Sequence, residues 1–355
     1  MGDVATKTAP SRYRVFRIKG QPVFATPVSP KQLRLAGLAR LQPFTPKRAM
    51  YRRVMHLSML LGVDRFLAKS AASPIEPSAD FDFKAWFDQA RADLGEPGAS
   101  AVVFWPPQRD RGRIYVHIFD QSTRPIGFAK VASDHDNDQR LVTEAKTLAA
   151  LQAEGLQECH VPAVLSAGWS HGHYYVILEP IPTTAQPLEA TCDAYPSQCV
   201  EEFAGTPRMV EPEHLDRLAW WQRFCEATDN RCGAFFEQLR QLARNGVRVR
   251  RAHGDFRHAN IVRVDGGLWV YDWEESCDDA PALADEVSFY LGINFKKILA
   301  DPLPVLSKFA ARHLRNAHPQ RRTDIMLALA FHHTAGFEDA SLFIKHWERI
   351  EGTSN

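Results

Sequence analysis

The stretch His253–Glu274 reads HGDFRHANIVRVDGGLWVYDWE. It carries two acids, Asp255 and Asp272, and an amide, Asn260, on the same short loop as the first acid. The run IVRV, the turn Asp265-Gly266-Gly267 and the run LWVY predict a β-hairpin, because turn-forming residues stand between two apolar runs. A hairpin brings its ends together, so Asp272 is expected to return beside the loop that holds Asp255 and Asn260. Two carboxylates and one amide oxygen would then surround a small volume. Hard oxygen ligands of this kind suit Mg2+, which keeps several waters and leans on substrate phosphates. One carboxylate remains to accept a proton from an attacking hydroxyl.

Upstream, the apolar period turns strand-like from Ala99. AVVFWPP, IYVHIF and IGFAKVA, separated by turns at 108–113 and 120–125, predict three antiparallel strands, with Lys130 in the third. DQRLVTEAKTLAALQA, 138–153, predicts a helix that carries Glu144; VPAVLSAGW and HYYVILEPIP predict two further strands. The first turn, PPQRDRGRI, has Gly112 as its one glycine and no G-x-G-x-x-G. Few backbone N–H groups could approach a phosphate there, so the side chains of Arg111 and Arg113 are the alternative partners.

H-G-D-F-x-x-x-N followed by V-Y-D-W-E resembles the catalytic loop and metal-binding Asp of the aminoglycoside phosphotransferase and choline kinase family. The resemblance covers about Ala99–Leu291. It implies an α+β, bilobal protein-kinase-like fold, with a small antiparallel-sheet N-lobe, a mostly helical C-lobe and an extra N-terminal segment. The domains are then a basic extension at 1–98 (hairpin plus helices), the N-lobe and hinge at 99–182, and the C-lobe with catalytic loop and acceptor pocket at 183–355. The implied activity is ATP- and Mg2+-dependent phosphorylation of a hydroxyl on a small molecule: a sugar, an amino alcohol or an aminoglycoside-like compound. By the same resemblance Asp255 is the catalytic base, Asn260 and Asp272 hold Mg2+, and His253 braces the loop. Asp285, four residues after Pro281, supports that loop. Lys130 holds the α- and β-phosphates, Glu144 aims it, and Arg113 is a further phosphate partner. The backbone of Glu179 and Ile181 faces adenine. The acids Glu274, Glu275, Asp278 and Asp279 suit a cationic acceptor, or else form a solvated loop. The glycine-poor turn keeps open a second function class, a nucleotide-binding pseudokinase that acts as an adaptor.

At 355 residues, with 45% apolar and 24% charged residues, the chain can bury a large core in two or three lobes. The net charge of +1 is unevenly spread, since residues 1–60 hold twelve Lys or Arg against one acid, Asp3. Such a segment meets something anionic: in principle a membrane surface, an acidic glycan, nucleic acid or the acidic remainder of the same chain. A third function class follows, a membrane- or glycan-associated binding protein; no nucleic-acid partner is expected. Within this segment Tyr13–Val28 alternates as a hairpin, Ser29-Pro30 starts a helix to about Leu41, and Thr45-Pro46 starts another to about Leu61. The second helix sets Lys47, Arg48, Arg52 and Arg53 beside Met50, Met55, Leu57, Met59 and Leu60. Such a helix packs on its own domain or lies on a membrane. Ala68–Asp80 reads as a linker and Phe81–Leu94 as a short helix. Trp220-Trp221 is expected in the core. The six cysteines show no C-x-x-C spacing, so reduced thiols are expected. The start lacks an apolar signal core and no apolar run approaches bilayer length, which points to a cytoplasmic chain, peripheral to a membrane at most.

Overall fold

The computed structural model describes residues 12–41, 46–75, 81–106, 112–226, 233–314 and 317–347. The chain divides into two compact units, residues 1–149 with 162–181, and residues 150–161 with 182–355.

One antiparallel sheet organises the first unit. Its strands are β1 (Tyr13–Ile18), β2 (Gln21–Pro27), β3 (Ala68–Ala71), β4 (Ser100–Phe104), β5 (Arg113–Phe119), β6 (Pro125–Ala132), β8 (Val164–Ser170) and β9 (His173–Leu178); the two-residue β7 (Cys159–His160) belongs to the second unit. Their order is β3-β1-β2-β4-β5-β6-β9-β8. The strand period of two divides β4 between two cores: Ala101 and Val103 on one face, Val102 and Phe104 on the other. The first face packs on α3 (Phe83–Asp93) through Phe83, Trp86, Phe87 and Ala90, a helical stripe. Asp82 starts that helix, its side chain accepting from Lys84 N–H and Ala85 N–H at 2.8 and 3.1 Å. The other face packs on α1 (Lys31–Arg40) through Leu33 and Leu38 and on α2 (Pro46–Leu61) through Met55 and Met59. Gly37 permits this approach, for a Cβ there would lie 2.7 Å from Val102 Cγ2. Asp64 is fully buried and pairs with Arg14 of β1 and, at 3.5 Å, with Arg34 of α1. After β6 comes α4 (His135–Glu154), with Leu141, Ala145 and Leu148 buried at helical spacing.

Two features differ from the sequence reading. The segment 68–80 was expected as a linker, yet its first four residues are β3, paired Tyr13↔Ala71 through Phe16↔Ala68. An edge strand needs only backbone groups to pair, so its Ala- and Ser-rich composition did not mark it; residues 76–80 lie outside the described set. The segment 1–98, read as an extension, shares one sheet with the lobe that follows, because β2 pairs with β4 at Phe24↔Phe104.

The second unit holds β10 (Gln186–Pro187), β11 (Arg208–Val210), β12 (Val247–Ala252), β13 (Ile261–Val264), β14 (Gly267–Val270) and β15 (Cys277–Pro281). They form two small sheets, β10-β13-β14-β7 and β11-β12-β15. The helices are α5 (Ser197–Ala204), α6 (Ala219–Glu226), α7 (Gly233–Ala243), α8 (Ala284–Ala300), α9 (Pro302–Phe309), α10 (Pro319–Thr334) and α11 (Glu338–Lys345). In α10 every residue from Ile325 to Phe331 is buried, as befits a helix that is apolar all round. Trp220 and Trp221 are buried in the same core, and Trp220 Nε1 donates to the Asp279 carbonyl at 2.8 Å. Cys159, Cys192, Cys199, Cys225 and Cys277 are free thiols; Cys232 lies outside the described residues. Among the described residues no helix is long and apolar enough to cross a membrane.

Candidate functional site

In the second unit the chemistry starts from the β13–β14 hairpin. Its strands pair Ile261↔Val270 through Val264↔Gly267. The central turn residues, Asp265 and Gly266, both have positive φ (49° and 87°), the backbone that matches the twist of paired strands. The hairpin ends meet: Tyr271 N–H donates to the Asn260 carbonyl at 3.1 Å, and His253 Nε2 donates to the Tyr271 carbonyl at 3.0 Å. His253 Nδ1 accepts from Asp255 N–H at 3.3 Å, so its two bonds together select the neutral tautomer protonated at Nε2. Asp272 follows directly, in the left-handed region at φ 73°. Aspartate tolerates that region better than most residues, and backbone strain of this kind concentrates at functional positions.

The loop itself is held from below. Asp285, in the first turn of α8, is buried and accepts from His253 N–H at 2.9 Å and Gly254 N–H at 3.1 Å. Burial raises its carboxyl above the usual range, while the backbone N–H groups of His253 and Gly254 pull the other way. Gly254 has φ 84°, and a Cβ there would lie 2.0 Å from the Glu275 carbonyl oxygen. Only glycine satisfies both demands.

Asp255 is half-buried, its side chain 27% exposed. Oδ1 accepts from Arg257 Nε at 2.7 Å, and Oδ2 accepts from Asn260 Nδ2 at 3.2 Å. Asn260 Nδ2 also donates to the Asp255 carbonyl at 2.9 Å. With Nδ2 committed in this way, Oδ1 of Asn260 is the amide atom turned to other duties, and a hard cation is the ligand it suits. Among the described residues no three His, Cys, Asp or Glu side chains converge to hold a metal. Asn260 and Asp272 offer two oxygen ligands, a set that fits Mg2+ where substrate phosphates and water complete the shell.

Arg257 escaped the sequence reading. Its guanidinium pairs with Asp339, fully buried at the start of α11, at 3.2 Å, and lies over the Phe337 ring at 4.8 Å. Gly292 leaves room for its stem, since a Cβ there would lie 2.8 Å from Arg257 Cγ. The signal available in the sequence is its position two residues after Asp255; Asp339 had none.

In the first unit Lys130 on β6 and Glu144 on α4 form a buried ion pair, with Lys130 Nζ donating to Glu144 Oε1 at 2.8 Å. β6 lies between β5 and β9 in the sheet, with Lys130 in register with Tyr115 and Val176. Arg113 is a correction. Expected as a phosphate partner on a loop, it begins β5, is buried, and donates through Nε to Asn137 of α4 at 3.0 Å. Asn137 is in turn held by Asp134, so Arg113 secures the start of α4. Arg111 lies outside the described residues. Beyond β9, Glu179 N–H donates to the Ala163 carbonyl at 2.8 Å, and the Ile181 carbonyl accepts from Arg40 of α1. The expectation that both backbones face an adenine is thereby narrowed, because two of their four polar groups are spent within the unit. Of the acids after Asp272, Asp279 pairs with Arg208 and Asp278 with Arg251 at 3.3 Å. Glu274 is buried. Glu275 is half-buried, whereas the side chains of Asp278 and Asp279 are 81% and 46% exposed.

The chain thus carries, within an α+β fold, a Lys on a central strand paired to a Glu on the next helix in the first unit, and an H-G-D loop with a hairpin ending in Asp in the second. No protein-family model matches the chain, and no curated protein matches it. Solved structures do. A fructosamine-3-kinase candidate of Thermobifida fusca YX-ER1 is 18% identical over 68% of this chain and 96% of its own, with a TM-score of 0.42. Spectinomycin phosphotransferase, APH(9)-Ia, solved with ADP and spectinomycin, is 11% identical over 76% of this chain and 94% of its own, also at 0.42. A choline/ethanolamine kinase family protein of Mesorhizobium loti is 13% identical over 73% of this chain and 99% of its own, at 0.33. At such identities and scores these likenesses bear on neither acceptor nor activity.

Proposed function

We propose that this protein is a small-molecule kinase that transfers the γ-phosphoryl group of ATP to an alcohol. The observation that carries the reading is the bracing of one loop: Asp285 holds it from below, His253 joins it to the hairpin end, and Asp255, Asn260 and Asp272 are its oxygen-bearing products. Asn260 and Asp272 would hold Mg2+, which when bound neutralises phosphate charge. Asp255 would orient the acceptor hydroxyl and take its proton. Lys130, aimed by Glu144, would hold nucleotide phosphates, and the Ile181 N–H would read the adenine edge. Rate gain in such a site comes from positioning and preset charge, to which a buried ion pair and a braced loop are suited. Sugars, amino alcohols and aminoglycoside-like compounds are the acceptors to screen.

The test is thermal shift with Mg·ATP. A ligand that binds only the folded chain stabilises it by about 2.7 kcal/mol at a hundred times its Kd. The native chain is expected to melt several degrees higher with Mg·ATP, and Asp272→Ala to show no metal-dependent rise. Equal shifts in both would remove Asp272 from the metal site. One observation favours a second reading, nucleotide binding without transfer: both oxygens of Asp255 are already engaged. Acceptor-dependent ADP release lost in Asp255→Asn, with nucleotide binding retained, would decide for transfer.

A further inference from the structure

Helix α2 has two apolar faces. At about 100° per residue, Met55 and Met59 fall on one side, and both are buried in the first unit. Met50, Val54, Leu57 and Leu61 lie within about 60° of one another on a different side. They are 64%, 46%, 58% and 75% exposed. Leu60 borders this face, and Val63, Phe66 and Leu67 extend it past the end of the helix, Phe66 being 74% exposed. Of the fourteen exposed large apolar side chains among the described residues, eight lie in this run of 50–67. The other six are spread over five elements, with at most two in any one of them.

The charges around this face have one sign. Arg53, Arg65 and Lys69 are exposed beside it. The one acid between residues 46 and 75, Asp64, is fully buried and spent on Arg14 and Arg34. A shallow groove of about 490 Å3 between α1 and α2 places Arg52, Arg53 and His56 against Leu57 and Leu60. A second copy of the chain fits this surface poorly. An isologous contact would bring arginines towards arginines, with no carboxylate on the face to pair them. A bilayer rich in acidic phospholipid supplies both missing parts, apolar depth and a uniform layer of negative charge.

We infer that residues 50–67 form a membrane-surface anchor that seats the first unit on anionic lipid. Leu57, Leu61 and Phe66 enter the acyl boundary, while Arg53, Arg65 and Lys69 lie at the level of the phosphates. The anchor is independent of the phosphotransfer reading and would stand if that reading fell.

The test is sedimentation of the full chain with vesicles of phosphatidylcholine, alone or mixed with phosphatidylserine. Binding is expected to the mixed vesicles and to weaken as salt rises. Leu57→Glu/Leu61→Glu is expected to bind at least about tenfold more weakly, and Arg53→Glu/Arg65→Glu to lose the salt-sensitive part. All four substituted side chains are exposed, so unchanged melting curves serve as the folding control. Failure of the intact chain to bind mixed vesicles would overturn the proposal, as would equal binding by the Leu57→Glu/Leu61→Glu variant. Concentration-dependent self-association abolished by that variant, without vesicle binding, would make the face a contact between copies instead.

Discussion

On the proposed reading Asp255 takes a proton, and a carboxylate with that role must be aimed before the substrate arrives. Asp255 is aimed by Arg257 on one oxygen and Asn260 on the other. Arg257 is itself fixed by Asp339 and by the Phe337 and Phe295 rings. Two buried or half-buried carboxylates thus share one guanidinium, whose planar fork can reach both while an ammonium cannot. Arg257→Lys is expected to lower kcat by about tenfold or more, with the nucleotide KM little changed. Arg257→Met strands Asp339, whose side chain is wholly inaccessible, and should cost about 3 kcal/mol or more in chemical denaturation. A Lys variant with native kcat would show that Arg257 only holds the fold together.

Among elements, the start of α8 matters most, because Asp285 stands in its first turn. That start is fastened from α10: His332 Nε2 donates to the Ala284 carbonyl at 2.8 Å. Burial pushes His332 down to about 4, opposed by this hydrogen bond and assisted by the charge of Arg257. The folded state therefore binds this proton less tightly than the unfolded chain, whose imidazole has the ordinary value of 6.5. Stability from this residue is present above pH 6.5 and is lost as pH falls towards 4. The loss is about 1.4 kcal/mol per unit, roughly 3 kcal/mol across the window. Denaturation at pH 7 and pH 5 should show the native chain losing more stability than His332→Asn. Parallel losses would mean that His332 does not titrate in that window.

At the scale of the whole molecule, the basic N-terminal segment is structural as well as charged. β1, β2 and β3 complete one side of the first sheet, and α1 and α2 cover Phe24, Val102, Phe104 and Phe119. Arg40 of the same segment bonds the Ile181 carbonyl, where the chain passes to the second unit. A chain begun at residue 99 would expose that core, losing about 25 cal/mol for each Å2 of apolar surface uncovered. It is expected to lack the cooperative melting of the first unit and to aggregate. A soluble, cooperatively melting fragment would instead establish residues 1–98 as a separate module.

By itself the sequence determined the elements whose causes are local. The hairpin at 261–270 follows from a turn between two apolar runs, and the strands around Lys130 follow from their period. The expected facing of Lys130 and Glu144 needed only one strand, one turn and one helix, the two residues standing fourteen apart. Tertiary structure decided what depends on distant covering. β3 became a strand because β1 offered an open edge, and Arg113 became a buried strut because α4 lies over it. Arg257 and Asp339 meet across 82 residues, Arg40 and Ile181 across 141. Both faces of α2 carry apolar residues, yet one is buried and the other bare. Periodicity specifies a face; only the packed chain specifies what, if anything, lies against it.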